Sequence, residues 1–510
     1  MEMAGWICIL GYMAVLMFFV IRGARKTTSM TDFAVGSMIF SPTAVGLSLA
    51  ASITSAATFI INPGFVAYYG ISGVISMALA LPFGALLSLV VLTKGFRKAG
   101  VKMKSLTIAQ WIGERYKSKR YATFFAFLSM LLITFVVLIC VGLTKVIAST
   151  LQLDELSVLI SIVVFVFGYV MFGGANSMVY TNMVQAILMI VVAVVLIASG
   201  YEYFFSEGGI LGKLKEIDVQ LAEPLNPSSP LFRDYFEIIF CQVVVGIAVV
   251  CQPHIITKSL LLKKESDVNK YLLTGVVTEI LFFSVVIAGL YARIAFPDLT
   301  LDGQAIPLDG VLTTYVVTIL PVSVGLLVVL GLISAGLSTL EGLIQTVSST
   351  ITQDILNPMM GEKFRKNEKK QIMTNRLVIV GLGVLSIFLS YEQLVNPNLS
   401  VGIFAQNGVY AYFSAAFIPV LFGLFLPKVR TVVPVISSLT ALVVHFGVYY
   451  GGITPYMQGA IRNPGIAAAL AILSALLVAV VVHFSLGAKE KEAETIEETN
   501  SAQLKETQLN

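Results

Sequence analysis

Charge is scarce in this sequence. Only 12% of its 510 residues are Asp, Glu, Lys or Arg, about half the share of an ordinary soluble domain. Histidine occurs three times, tryptophan twice and cysteine four times. So few charges cannot solvate the surface of a chain this long, and with 57% hydrophobic residues the solvent must be lipid. The net charge of +4 is small and scattered, which excludes a nucleic-acid partner. Cys8, Cys140, Cys241 and Cys251 lie in apolar stretches without CxxC spacing, which excludes a disulfide framework and a zinc site. There is no Walker A sequence and no nucleophile with a plausible base, so neither an ATP-driven pump nor an enzyme has support.

What is abundant is apolar sequence in runs of about 20 residues, the length that crosses a bilayer. Such runs fall near 4–21, 43–62, 71–93, 121–149, 155–173, 179–204, 236–256, 271–295, 316–349, 375–391, 403–426, 432–451 and 464–487. They predict an all-α integral membrane protein of about 13 transmembrane helices, numbered here in chain order, forming one domain over 1–487. No cleavable signal is expected, because Met1 to Gly5 lacks a positive stretch and Trp6–Ile21 is followed by Arg22, Arg25 and Lys26. Basic residues cluster in alternate loops, Lys94 to Arg120, Lys258 to Lys270, Lys363 to Arg376 and Lys428 to Arg430 among them. Counted with Arg22 to Lys26 and the tail, 27 of the 33 fall on one side. By the positive-inside rule the N-terminus is outside and the C-terminus cytoplasmic, in a plasma (inner) membrane. The segment 488–510 alternates Glu and Lys with polar residues and reads as a solvated tail. The outside loop at 205–235, with Pro224, Pro227 and Pro230, is expected to hold only short local structure.

Two spans have a different character. In the second, every side chain from Ala50 to Thr58 except Ile53 is alanine or a small hydroxyl, and Pro63-Gly64 follows. Small residues of this kind let helices pack closely; they also make a helix easy to unwind, freeing carbonyls inside a cavity. The ninth span carries Ser334, Ala335, Ser338, Thr339 and Glu341. Ala335 lies one turn before Ser338 and Thr339, so its carbonyl and their hydroxyls can face one point. A hard cation such as sodium prefers such oxygen ligands.

These residues resemble the sodium:solute symporter family over nearly the whole chain from the second span to about residue 430. The matching features are the small-residue second span with Pro63-Gly64, Gly173-Gly174 with Val179 to Gln185, Gln252-Pro253-His254, and Ser338-Thr339 with Gln353-Asp354-Ile355. The resemblance implies inverted repeats of five helices with interrupted first helices, at 43–204 and 236–426, an extra N-terminal helix at 4–21 and two C-terminal helices at 432–487. It implies a sodium site of Ala51, Thr54 and Ala335 carbonyls with Ser338 and Thr339 hydroxyls. Ile53 and Asn182 stand where relatives often have aspartate, which implies one sodium in place of two.

The segment from Ser55 to Phe59, Gln252-Pro253-His254 and Pro297-Asp298-Leu299-Thr300 resemble the pantothenate and monocarboxylate permeases. This implies a sodium-coupled importer of a small carboxylate, with the bilayer and sodium as partners and no obligatory protein partner. Ser52, Ser55, Thr58 and Gln406 are the candidate substrate residues; Gln406 reads equally as a polar residue at a helix entrance. Proline or sugar symport and proton coupling stay open, the last because Glu279 and Glu341 lie inside spans, where a carboxylate is costly unless paired, hydrated or protonated. A channel is the remaining rival, although selective pores usually repeat one element around an axis and this chain shows no such repeat. Glu341, two residues past Thr339, points away from it on an ideal helix and is expected to face a neighbouring helix. His254 is expected to make a structural hydrogen bond at the end of its span, Lys145 to reach the outer interface, and His445 and His483 to have no chemistry.

Overall fold

The computed structural model describes residues 2–509 apart from 104, 263, 397–399 and 460, so Lys104 and Lys263 of the basic count lie outside the described residues. The chain is nearly all helical. Among the described residues ten helices are long and apolar enough to cross a membrane, and up to twelve if each of two bent pairs is one span. The fifth and sixth spans share one helix, Glu155–Ala198, of 44 residues. At 1.5 Å per residue its contour is about 66 Å, enough for two crossings of the hydrocarbon core. Gly174 divides it, with φ 57 and ψ −161, and a side chain there would collide with the Phe33 backbone.

The two bent pairs are the first helices of the two halves. Pro42–Ile53 and Ala57–Tyr69 meet at 57°, and Phe236–Val249 and Pro253–Leu261 meet at 60°. Both spans therefore run further than the apolar runs suggest, to Tyr69 and Leu261. This places Lys258, counted from sequence among the loop lysines, inside the protein at 2% exposure. Arg97 is likewise buried, its Nη1 donating to the carbonyls of Ser259 and Leu262 at 2.8 Å each.

The ninth span, Val322–Met360, and the eleventh, Val401–Phe425, form the centre of the bundle, whereas the first, Met3–Ala24, and tenth, Glu368–Val395, lie at its edge. Close approach replaces bulk at two crossings. Gly84 and Gly246 bring the third and seventh spans into backbone contact, and Gly46 sits against the Tyr271 carbonyl and Thr274 of the eighth span. After the eighth span, Thr300–Leu301 and Gln304–Ala305 pair as a two-stranded antiparallel hairpin. Its turn residues Asp302 and Gly303 have φ 51 and 78, the left-handed pair that a two-residue hairpin turn needs.

The loop at 205–235 holds the short helices Gly209–Ile217 and Val219–Ala222. The last helix runs from Pro464 to Leu509 and so continues through the tail. Glu, Lys, Ala, Leu and Gln are good helix formers, and a helix already started adds residues without a new nucleus.

Candidate functional site

The second span starts cleanly, with Pro42 in the first turn and Ser41 Oγ accepting from the Ala44 amide at 3.1 Å. It stops at Thr54, whose backbone is extended (φ −83, ψ 108). Ser55 Oγ accepts from the Ala57 amide at 3.1 Å and starts the outer half, which opens as a π-helical turn over Ala57–Ile61. The carbonyls just before the break consequently have no helical partner above them.

Those carbonyls face the ninth span. Ser338 Oγ donates to the Ala51 carbonyl at 2.6 Å and lies 3.1 Å from that of Ala335. Thr339 Oγ1 lies 3.4 Å from the carbonyls of both Ala51 and Ser52, 3.3 Å from Thr54 and 3.5 Å from Ala335. All are fully buried. Each hydroxyl has a single proton, so two protons face four carbonyls. The oxygen-rich, proton-poor set fits a bare cation better than it fits itself, and its ligands are neutral and hard. The five residues expected to hold sodium are thus brought together; the Ser52 carbonyl is a sixth member that the sequence reading did not include.

A second layer holds this junction. Thr54 Oγ1 donates to Glu279 Oε2 on the eighth span at 2.7 Å, and Asn182 Nδ2 on the sixth donates to Ser52 Oγ at 3.1 Å. Glu341 turns away from the carbonyls, as the helical angle requires, and accepts from the hydroxyls of Tyr169 and Thr181 and from Gln185 Nε2 at 2.9 Å. The ninth span is also tied to the first by Tyr12 and Ser334, 2.7 Å apart.

The four candidate substrate residues are not brought together in the same way. The Ser52 hydroxyl is engaged by Asn182 and that of Ser55 by the Ala57 amide. Thr58 is buried one turn further out, and Gln406 is half-buried on the eleventh span. Two other expectations need correction. His254 makes no structural hydrogen bond: both ring nitrogens are buried without a partner. It lies at the start of the inner half of the seventh span because the helix bends at the preceding residues. Lys145 does not simply reach outward but lies 3.9 Å from Asp309, which itself accepts from Ser400 Oγ at 2.7 Å. His445 Nε2 is 3.0 Å from both oxygens of Asn407, a structural contact between the eleventh and twelfth spans.

Broken helices meeting an unbroken one, with an oxygen-lined junction between them, are the architecture of cation-coupled secondary transporters. The chain belongs to the sodium:solute symporter family, whose model matches residues 33–440. It is 26% identical over 435 residues to a sodium/pantothenate symporter of Haemophilus influenzae, covering 83% of this chain and 84% of that one. It is 22% identical to a monocarboxylic acid transporter of Corynebacterium glutamicum over 85% of this chain and 80% of that one. Among solved structures it is similar to a Na+-coupled sialic acid symporter in a substrate-bound outward-open state. That match has a TM-score of 0.75 and 17% identity, and covers 94% of this chain and 97% of that one. The family and these relatives are transporters, not enzymes, and the protein is a multi-pass membrane transporter.

Proposed function

We propose that the protein is a sodium-coupled symporter that imports a small carboxylate, such as pantothenate or a monocarboxylate, by alternating access. The observation that carries the sodium reading is the imbalance at the break, where Ser338 and Thr339 supply two protons to the carbonyls of Ala51, Ser52, Thr54 and Ala335. A cation there bridges a helix that rocks and one that stays, so it binds one state better than the other and shifts the equilibrium between them. The carboxylate reading is supported by the names of the relatives, sodium/pantothenate symporters and a monocarboxylic acid transporter. The distribution of basic residues favours an outside N-terminus and a cytoplasmic C-terminus.

The test is uptake into right-side-out vesicles under an imposed sodium or proton gradient, with pantothenate, pyruvate, acetate, proline and a hexose as cargo. Sodium should drive accumulation of a carboxylate. Accumulation driven by protons and indifferent to sodium would reject the coupling, and saturable uptake of proline or a hexose alone would reject the cargo. In Ser338→Ala and Thr339→Ala the sodium concentration for half-maximal uptake should rise about tenfold, as loss of one of a few hydrogen-bond-like ligands implies. An unchanged value in both would remove sodium from this place.

A further inference from the structure

Lys258 has no role in the sodium site, yet it is one of the most buried charges in the protein. It sits on the inner half of the seventh span, in the turn Thr257–Leu261 after the bend. Its Nζ donates to Ser48 Oγ at 2.8 Å, and it takes part in no ion pair within 4 Å among the described residues. An ammonium has three protons to donate, so a single hydroxyl leaves both its charge and its hydrogen-bonding capacity largely unmet in a site only 2% exposed.

Its position is informative. Ser48 is three and four residues before Ala51 and Ser52 and shares their face of the second span, so Lys258 is anchored about one helical turn inward of the oxygen cage. His254, one turn earlier on the same half-helix, has both ring nitrogens buried and unpartnered. A narrow cleft lined by Thr107, Pro253, Thr257, Thr346 and Ser349, but not by Lys258 or His254, borders this half-helix. Glu341 makes no ion pair with Lys258 among the described residues, and its oxygens are already taken by Tyr169, Thr181 and Gln185.

Charge balance then says what is missing. Glu341 is engaged by its own three donors and makes no ion pair with Lys258 among the described residues, so the ammonium keeps an unmet charge when the protein is empty. Sodium beside Thr339 adds one positive charge to this buried region, and a buried excess charge is costly unless it is paired. A monoanion next to Lys258 restores neutrality and fills the unused donors. We propose that Lys258, with His254 beside it, is the counter-charge for the carboxylate of the cargo. Sodium and carboxylate then enter as a neutral pair, which couples the two without direct contact between them. This rests on the carboxylate reading above and names the residue that selects for it.

The experiment measures sodium-driven uptake of two matched pairs in proteoliposomes: pantothenate against panthenol, and acetate against acetamide. Lys258→Met should raise the half-saturating carboxylate concentration by at least about thirtyfold, the loss expected when one partner of a buried charge pair is removed. It should also erase the preference over the neutral analogue, while Lys258→Arg retains that preference. Stabilisation of the purified protein by sodium should persist in Lys258→Met, which separates loss of the anion site from misfolding. If Lys258→Met does not fold, Lys258→Gln, which can keep the bond to Ser48, is measured for the same change. A folded variant that saturates with carboxylate at the wild-type concentration overturns the proposal. Wild-type protein that carries neither carboxylate but accumulates proline or a hexose overturns the proposed cargo instead.

Discussion

Thr54 Oγ1 donates to Glu279 Oε2 at 2.7 Å across 225 residues of sequence, joining the break in the second span to the middle of the eighth. Glu279 is fully buried, and its other oxygen has no partner. The contact is made possible by packing without side chains. A methyl on Gly46 would press on Tyr271 and Thr274, and one on Gly275 would touch Leu49, so the two helices lie close enough for a carboxyl one turn beyond Gly275 to reach Thr54.

Since the Thr54 carbonyl is part of the oxygen cage, Glu279 acts on the site by orienting the strand that carries it. Glu279→Gln keeps an acceptor for the Thr54 hydroxyl and should change the sodium concentration for half-maximal uptake by less than about threefold. Glu279→Leu removes the acceptor, at a cost of about 1–3 kcal/mol for a buried hydroxyl left unpaired, and should raise it about tenfold with a smaller effect on half-saturation by cargo. Equal sodium affinity in the Gln and Leu variants would show that the bond does not shape the site.

The cage itself was largely legible in the sequence, because its signals are local. A run of alanines and hydroxyls marks the break, and Ala335 with Ser338 and Thr339 marks one helical face. The second break could also be read, since Pro253 lacks an amide and interrupts the seventh span. What could not be read depends on distant packing. Ser52 contributes its carbonyl because Asn182 holds its side chain elsewhere, and Lys258 is buried because the seventh span continues past its bend. A basic residue just beyond an apolar run looks the same in a loop and in a bent helix. The 44-residue helix shows the converse: its two apolar runs were evident, but the single kink at Gly174 that separates them is a backbone property.

Glu341 is the next point of leverage. It gathers Tyr169 and Gln185 with Thr181 around one carboxylate, joining the fifth and sixth spans to the ninth. Glu341→Ala leaves three buried donors without an acceptor, each worth about 1–3 kcal/mol, so unfolding in detergent should come at least about 3 kcal/mol earlier. Glu341→Gln keeps one carbonyl oxygen and should fall between. Thermal unfolding of the purified variants would separate these cases, and wild-type stability in Glu341→Ala would mean that the three donors find other partners.

The loop between the first two spans offers a pH test. Ser29 and Asp32 form a reciprocal cap on the helix Met30–Val35, and Asp32 Oδ2 accepts from the amides of Thr28 and Ser29 and the hydroxyl of Thr28. Partial burial pushes the Asp32 carboxyl up, but these hydrogen bonds outweigh it and hold the group below the usual carboxylate value. Gln345 of the ninth span donates to the Phe33 and Ala34 carbonyls at 2.7 and 2.8 Å, so the capped helix is also tied to the ninth span. A carboxyl whose value is depressed on folding stabilises the fold above the unfolded value of about 3.9 and loses that contribution as pH falls through the folded value. Asp32→Asn should therefore cost about 1 kcal/mol at pH 7, in the range of a lost cap, and the gap should close as pH falls through the folded value of Asp32, where its side chain also becomes neutral. Melting curves of the two proteins that converge on acidification would confirm the cap's charge as the source; a constant gap across that range would assign the loss to shape alone.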